Sequence, residues 1–305
     1  MESIWVSSGA LPRYAALRGD IQTDVLVIGG GMAGILCAYT LQREGISCVL
    51  VEADRLAGGI TQNTTAKLTS QHGFIYHRLI EKFGKEVAAR YLRANEDALA
   101  QYRALCQQID CDYSVQNNYI YSRCDPEVPE KELRALSQIG GKGSFIKELP
   151  LPFPTAGAVM FKNQAQFHPL KFLSKVTEGL RIYESSPVRQ LKGQTAITDH
   201  GCIRAEKIII ATHFPFLNKH GSYFMKLYQQ RSYVIALEGI RPPEGMYLDE
   251  KENKANPDKY KQYEAANGWG TVEGTKRFYE TCLNNASDWI SCNEDLLPVA
   301  VIWVS

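Results

Sequence analysis

Residues 24–34 read DVLVIGGGMAG. Val25–Ile28 is an unbroken run of β-branched and Leu side chains, which predicts a strand buried on both faces. Three glycines follow at 29–31 and a fourth at 34. Met32–Arg43 then carries Ala33, Leu36, Cys37, Thr40 and Leu41 at helical spacing, predicting one core-facing stripe. Gly45 ends that helix, and Ser47–Val51 reads as a second buried strand. The result is a βαβ unit of about 30 residues.

Inside it, Gly29, Gly31 and Gly34 fit G-x-G-x-x-G, with a strand before and a helix after. Gly29 permits the tight turn, Gly31 lets a pyrophosphate approach the backbone, and Gly34 lets helix and strand pack closely. Met32 and Ala33 open the helix, whose free N–H groups and dipole favour phosphate. Glu52 closes the second strand, 18 residues past Gly34. A carboxylate there accepts hydrogen bonds from a ribose diol and repels a 2′-phosphate, which argues against NADP.

The segment after Glu52 bears on which dinucleotide is bound. An NAD domain continues with another βα unit, whereas residues 53–73 read ADRLAGGITQNTTAKLTSQHG. This long Gly- and Thr-rich stretch suits an extended cofactor, offering backbone and hydroxyl groups along its length, and so favours FAD over NAD. Residues 201–212, GCIRAEKIIIAT, read as a hairpin arm leading into a buried strand that ends beside the nucleotide.

Further along, apolar periodicity predicts a helix over Glu86–Ile109, with Val87, Ala88, Tyr91, Leu92 and Cys106 on one face. Tyr113–Gln116 and Tyr119–Ser122 read as strands joined by a QNN turn, and Pro129–Ile139 as a surface helix. LPLPFP (149–154) reads as an extended connector, Ala158–Phe161 as a strand, and Pro169–Thr177 as a helix opened by proline. Pro187–Leu191 and Thr195–Thr198 form a hairpin across KGQ, Lys207–Ala211 is a buried strand of parallel type, and Arg231–Leu237 is a further strand. Composition shifts near residue 250 into a charged, Lys-rich stretch, and the chain closes on apolar VAVIWVS.

Composition narrows the classes. Across 305 residues the net charge is +1, so neither nucleic acid nor an anionic membrane surface is expected as a partner. The eight cysteines show no C-x-x-C or C-x-H spacing, and no His, Asp and Glu cluster reads as a metal site. Reduced thiols in a cytoplasmic protein are the expectation. The N-terminus does not read as a signal peptide, and the longest apolar run, cut by four glycines, is too short for a transmembrane segment. Histidines 77, 200 and 220 read as surface residues. No Ser–His–Asp arrangement is legible, and protein partners are not readable.

Residues 24–34, Glu52, GGITQNTTAK (58–67), AQFHPLKFL (165–173), PVRQL (187–191) and KIIIATHFPF (207–216) together resemble the D-amino-acid-oxidase-type (DAO) FAD-dependent oxidoreductases. The similarity is greatest to a bacterial branch some of whose longer members carry a C-terminal Rieske domain, and it covers residues 1–249. It implies an α/β fold: a Rossmann-like FAD/NAD(P)-binding domain (1–110 and 180–225) with a partly truncated α+β substrate domain (111–179 and 226–249). Residues 250–305 form a divergent module without an assigned role.

The resemblance implies non-covalent FAD, with its ribose on Glu52 and its pyrophosphate on the Gly29–Gly34 turn. Ala53, Asp54 and Arg55 would sit beside the adenosine. Gly59, Ile60, Thr61, Thr65, Ala66, Lys67 and Leu68 would run along the pyrophosphate toward the flavin. Val188 would meet the adenine through its backbone, and Ala211 and Thr212 would close over the cofactor. His213 stands where many relatives have glycine.

The expected reaction is oxidation of the C–N bond of a small-molecule amine or amino acid, which needs alignment and a neutral nitrogen more than acid–base machinery. Lys67 is the candidate cation beside the ring, against the plain alternative of a solvent-facing loop lysine. His72 and His168 are candidates for the substrate site. After Asp249 the glycine-rich C-terminal flavin segment of relatives is not legible, so impaired turnover is expected. The competing reading is a catalytically inactive nucleotide-binding remnant or binding module.

Overall fold

The computed structural model describes residues 3–214, 216, 233–237, 242–250 and 300–304. In chain order its elements begin with α1 (Ile4–Ser8), β1 (Ile21–Ile28), α2 (Met32–Arg43), β2 (Cys48–Val51) and β3 (Lys67–Leu68). There follow α3 (Tyr76–Phe83), α4 (Lys85–Cys106), β4 (Ser114–Ser122), α5 (Glu127–Gln138), β5 (Gly143–Ile146) and β6 (Gly157–Gln166). The remainder are α6 (Pro169–Val176), β7 (Arg181–Tyr183), β8 (Val188–Lys192), β9 (Thr195–Thr198), β10 (Cys202–Ile210), β11 (Tyr233–Leu237), β12 (Met246–Asp249) and β13 (Ala300–Val304). They gather into two compact units. Described residues of the first fall within 1–66, 106–113 and 167–231, and those of the second within 67–105, 114–166 and 232–305. The first unit's opening stretch thus stops at Ala66, where the chain enters a different sheet at β3, and of the expected run to residue 110 only 106–110 rejoin it.

The first unit holds a six-stranded sheet in the order β7-β2-β1-β10-β9-β8. Its first four strands are parallel, and the β8–β9 hairpin returns antiparallel onto β10. Leu26 of β1 lies between Val49 of β2 and Ile208 of β10. Every residue of Val25–Ile28 is buried, as the unbroken apolar run predicts.

The helix after β1 has the expected bounds but not the expected face. Gly34, Ile35 and Ala38 are buried, while Ala33 and Thr40 are exposed and Leu36, Cys37 and Leu41 are half-buried. The close approach of Gly34 to the turn rotates α2 onto that side. A Cβ added at Gly34 would lie 1.9 Å from the Gly29 carbonyl oxygen. At the far end Gly45 adopts φ +75° and Ile46 N–H bonds to Leu41 O, closing the helix as read.

The strand read at Lys207–Ala211 is parallel to β1 but not fully buried: Ile208 and Ile209 are half-buried and Ile210 is 43% exposed. β9 pairs only with Cys202–Arg204, so among the described residues no strand covers the outer edge of 207–210.

In the second unit the sheet order is β12-β4-β6-β3, with β5 also paired to β6. Here two expected strands are one. Residues 116–118 form not a turn but a register shift within β4, and the Asn118 side chain is buried, donating to Gln71 Oε1 at 2.8 Å. The helix α4 ends at Cys106, short of Ile109, and leaves Val87 and Tyr91 largely exposed. On one sheet face Phe74, Tyr76, Leu92, Ile120, Leu136 and Phe161 form the core. Residue 77, read as a surface histidine, instead bonds through Nδ1 to Glu132 Oε2 at 2.6 Å. Glu132, 1% exposed on α5, also accepts from the N–H groups of Tyr76 and His77, so it caps α3 from a neighbouring helix. β11 and β13 pair antiparallel, Ile235 opposite Ile302. The short elements α1, α3, β3, β5, β7 and β12 have no counterpart in the sequence reading. His220, Cys282, Cys292 and most of the C-terminal module lie outside the described residues.

Replacing Glu132 by Ala strips an acceptor from two backbone donors at a buried helix start. The expected loss is about 3 kcal/mol of unfolding free energy, measured by urea denaturation, whereas an unchanged midpoint would refute the capping role.

Candidate functional site

The geometry of the glycine turn follows from contacts that no side chain could share. Gly29 has φ +113°, and a Cβ on it would lie 2.8 Å from the Ala211 carbonyl. Only glycine lets β1 turn this sharply against the end of β10. At Gly30 a Cβ would sit 2.4 Å from Leu56 Cδ2. Gly31 differs: a Cβ there would meet only Thr61 Oγ1, at 3.6 Å, and at Gly59 nothing lies within 4 Å. The backbone is crowded from behind and open in front, as a phosphate cradle requires.

Around the turn the sequence-predicted residues assemble. Glu52, half-buried at the end of β2, accepts from Gly30 N–H at 2.6 Å and from Asp54 N–H at 3.0 Å. Thr61 Oγ1 accepts from Met32 N–H at 3.1 Å, supplying the cap that Gly31 cannot. Ala211 N–H donates to Ile28 O, and the Thr212 hydroxyl is buried with no hydrogen-bond partner. An orphaned hydroxyl one residue past the Ala211 that packs against Gly29 fits a ligand at this turn. Ala53 and Asp54 are exposed, Arg55 and Thr65 half-buried, Ile60 58% exposed, and Val188 half-buried where β8 begins. Ala66 is buried with φ +55°.

Lys67, Leu68 and His72 belong to the second unit. Lys67 is half-buried and its ammonium donates to the Tyr247 carbonyl at 3.2 Å. Tyr247 stacks on Tyr119 with ring centroids 4.8 Å apart, and burial raises its phenol pKa to about 12. His72 is exposed, and its Nε2 pairs with Asn95 Oδ1 at 3.2 Å.

His168, expected at the substrate site, is instead 2% exposed with both ring nitrogens engaged. Nδ1 accepts from Lys171 N–H at 3.2 Å, capping α6, and Nε2 lies 3.0 Å from Ser8 Oγ. Trp5 packs edge-on against it and donates its indole N–H to Thr64 O at 2.7 Å. This histidine thus ties the N-terminal segment to α6.

Sequence reasoning missed Glu184, just beyond β7. It is buried and accepts from Arg55, Leu56 N–H and Tyr14 N–H. The only signal was a glutamate directly after a short apolar strand. A cavity of about 420 Å³ lies on the N-terminal side of the 54–62 loop, lined by Arg13, Asp54, Arg55, Leu56 and Gln62 among others. None of Gly29–Gly31 lines it, so it is distinct from the open front of the glycine turn. Among the described residues no group of three or more His, Cys, Asp or Glu side chains converges, and no helix is long and apolar enough to cross a membrane.

A parallel sheet, a glycine turn with an open front, and a carboxylate at the end of the second strand define a dinucleotide-binding protein. The family model for FAD dependent oxidoreductases (DAO) matches residues 24–266. The chain belongs to that family, whose members use FAD. It is 38% identical over 261 residues to the Rieske-named 2Fe-2S iron-sulfur protein YhfW of Bacillus subtilis (strain 168), covering 81% of this chain and 51% of that one. It is 23% identical over 216 residues to gamma-glutamylputrescine oxidoreductase of Escherichia coli (strain K12), covering 65% and 50%. The chain thus spans about half the length of these curated relatives. Among solved structures, L-amino acid deaminase from Proteus vulgaris shares the fold with TM-score 0.56 at 16% identity, covering 79% of this chain and 59% of that one. Glycine oxidase from Bacillus cereus gives 0.53 at 19% identity, covering 75% and 66%.

Burial, with the charge of Lys171 second, holds the His168 pKa below its ordinary 6.5. The folded state therefore binds this proton less readily than the unfolded chain. The stabilisation is present above about pH 6.5 and is lost as pH falls below it, toward the folded-state value. The thermal midpoint is expected to fall between pH 7 and pH 5, and less so in His168→Asn, which can still cap; parallel curves would refute this assignment.

Proposed function

We propose that this protein oxidises the C–N bond of an amine or amino acid by hydride transfer to FAD. Bound flavin supplies the two-electron acceptor. The observation that carries the reading is the cradle itself: Glu52 locked by Gly30 and Asp54 N–H groups beside the open backbone of Gly31 and Gly59. Glu52 receives the ribose hydroxyls, and the Gly29–Gly34 turn receives the pyrophosphate together with Thr61 and the orphaned Thr212 hydroxyl. Ala53–Arg55 and the Val188 backbone flank the adenosine. C–N chemistry is supported by the name of the gamma-glutamylputrescine oxidoreductase relative.

Lys67 is the cation in this reading. Its ammonium, which donates to the Tyr247 carbonyl at 3.2 Å, would supply the cation beside negative charge as it develops. The neutral Tyr247 phenol, bonded to Glu244 O at 2.8 Å, fixes its own strand.

The test is anaerobic mixing of flavin-loaded protein with a panel of amines and amino acids. Bleaching of the flavin band by at least one of them is expected. A flavin that dithionite reduces but no amine bleaches would leave a binding module in place of an enzyme. For Lys67→Met, reoxidation by oxygen after dithionite reduction is expected to slow by about tenfold or more, within the range of single electrostatic contributions. Unchanged reoxidation in a folded variant would remove Lys67 from the chemistry.

A further inference from the structure

We infer that Glu184 is a positioning residue for the adenosine end of the cofactor, a buried carboxylate that sets both Arg55 and Glu52. The inference rests on the reading that Glu52 receives the ribose.

Glu184 is 2% exposed, and its oxygens take three donors from two separate stretches of chain. Oε2 accepts from the Arg55 guanidinium at 2.5 Å and from Tyr14 N–H at 3.0 Å, and Oε1 accepts from Leu56 N–H at 2.8 Å. A carboxylate removed from water must be met by such donors or leave the interior. Its requirement therefore dictates where the 54–56 loop and the Tyr14 backbone lie.

The constraint is passed on through backbone contacts. Leu56 Cδ2 stands 2.4 Å from where a Gly30 Cβ would be, and Ala57 N–H donates to Gly30 O at 2.8 Å. Gly30 N–H in turn donates to Glu52 Oε2. A second path runs directly along the strand edge. Glu52 N–H bonds to Tyr183 O at 2.9 Å, Ser186 N–H to Glu52 O at 2.8 Å, and Ser185 N–H to Asp54 O at 3.0 Å. Glu184 sits at the middle of this exchange. Moving it would tilt the Glu52 carboxylate and release the Arg55 side chain, which it anchors through one of five N–H donors. The remaining donors stay free for a polar group on the ligand.

The test uses full-length apoprotein titrated with FAD, with ADP as a competitor that carries only the adenosine-pyrophosphate end. Glu184→Gln keeps the shape and one acceptor oxygen but loses the charge. It is expected to weaken FAD and ADP alike by about tenfold, the scale of one charge-assisted hydrogen bond, and to lower the apoprotein thermal midpoint, because the amide nitrogen faces a donor that the carboxylate had met. Arg55→Met is expected to weaken FAD similarly, and Glu184→Gln/Arg55→Met no more than the weaker single variant. FAD affinity within twofold of the unsubstituted protein, or fully additive losses, would overturn the proposal. If Glu184→Gln does not fold, Glu184→Asp, which keeps charge but shortens reach, is judged by the same criteria. Glu52→Gln separates the two readings. If it binds FAD normally, the ribose assignment fails, whatever Glu184 does; if it binds weakly while Glu184→Gln does not, only the Glu184 proposal fails.

Discussion

The first unit depends on the absence of one carbon atom. With 1.9 Å between the Gly29 carbonyl oxygen and any Cβ on Gly34, no other residue allows α2 to lie where it does. That position chooses the buried face of α2, places its N-terminus at the mouth of the turn, and brings Gly29 against Ala211 at the end of β10. Helix, turn and third strand thus meet at one point. An open backbone face is what remains once those three approach as closely as backbone permits.

The two units satisfy buried polarity by different means. Around the glycine turn the acceptors are mainly carboxylates, joined by the Thr61 hydroxyl, and the donors mostly backbone N–H groups, as at Glu52 and Glu184. In the second unit carboxamides carry much of the work. Ser70 N–H donates to Gln164 Oε1 at 2.8 Å, Gln71 Nε2 to Val159 O at 2.9 Å, and Asn118 to Gln71. Neutral amides both give and accept, so they can knit a loop into a sheet without importing charge.

Legibility followed the range of the interaction. The βαβ unit, the β8–β9 hairpin and the proline-led α6 are local in sequence and were readable from periodicity and turn chemistry. The bulge in β4 was read as a turn because Asn-Asn favours turns locally, whereas its role was decided by a glutamine 47 residues away. His168 looked available because nothing local showed that Ser8, 160 residues earlier, would occupy its second nitrogen. Glu184 was invisible for the same reason: its partners lie 170, 129 and 128 residues distant. The buried face of α2 departs from its apolar stripe because the steric contact at Gly34, not hydrophobic periodicity, sets the rotation of the helix.

The last stretch of the candidate cofactor loop shows how this chain spends strain. Ala66 adopts φ +55°, a conformation that costs a non-glycine residue about 1 kcal/mol or more. It persists because the neighbouring backbone is held on both sides. Thr64 Oγ1 accepts from Ala66 N–H at 3.2 Å, while the Trp5 indole holds the Thr64 carbonyl. On its other side Lys67 is committed to β3, opposite Gln166. A glycine at 66 would relieve the strain but widen the range of backbone states open to that residue. Ala66 is held in its left-handed state by its bond to Thr64, whose carbonyl the Trp5 indole fixes in turn. The indole of a five-residue helix near the N-terminus is therefore part of what fixes the loop on which the cofactor assignment rests.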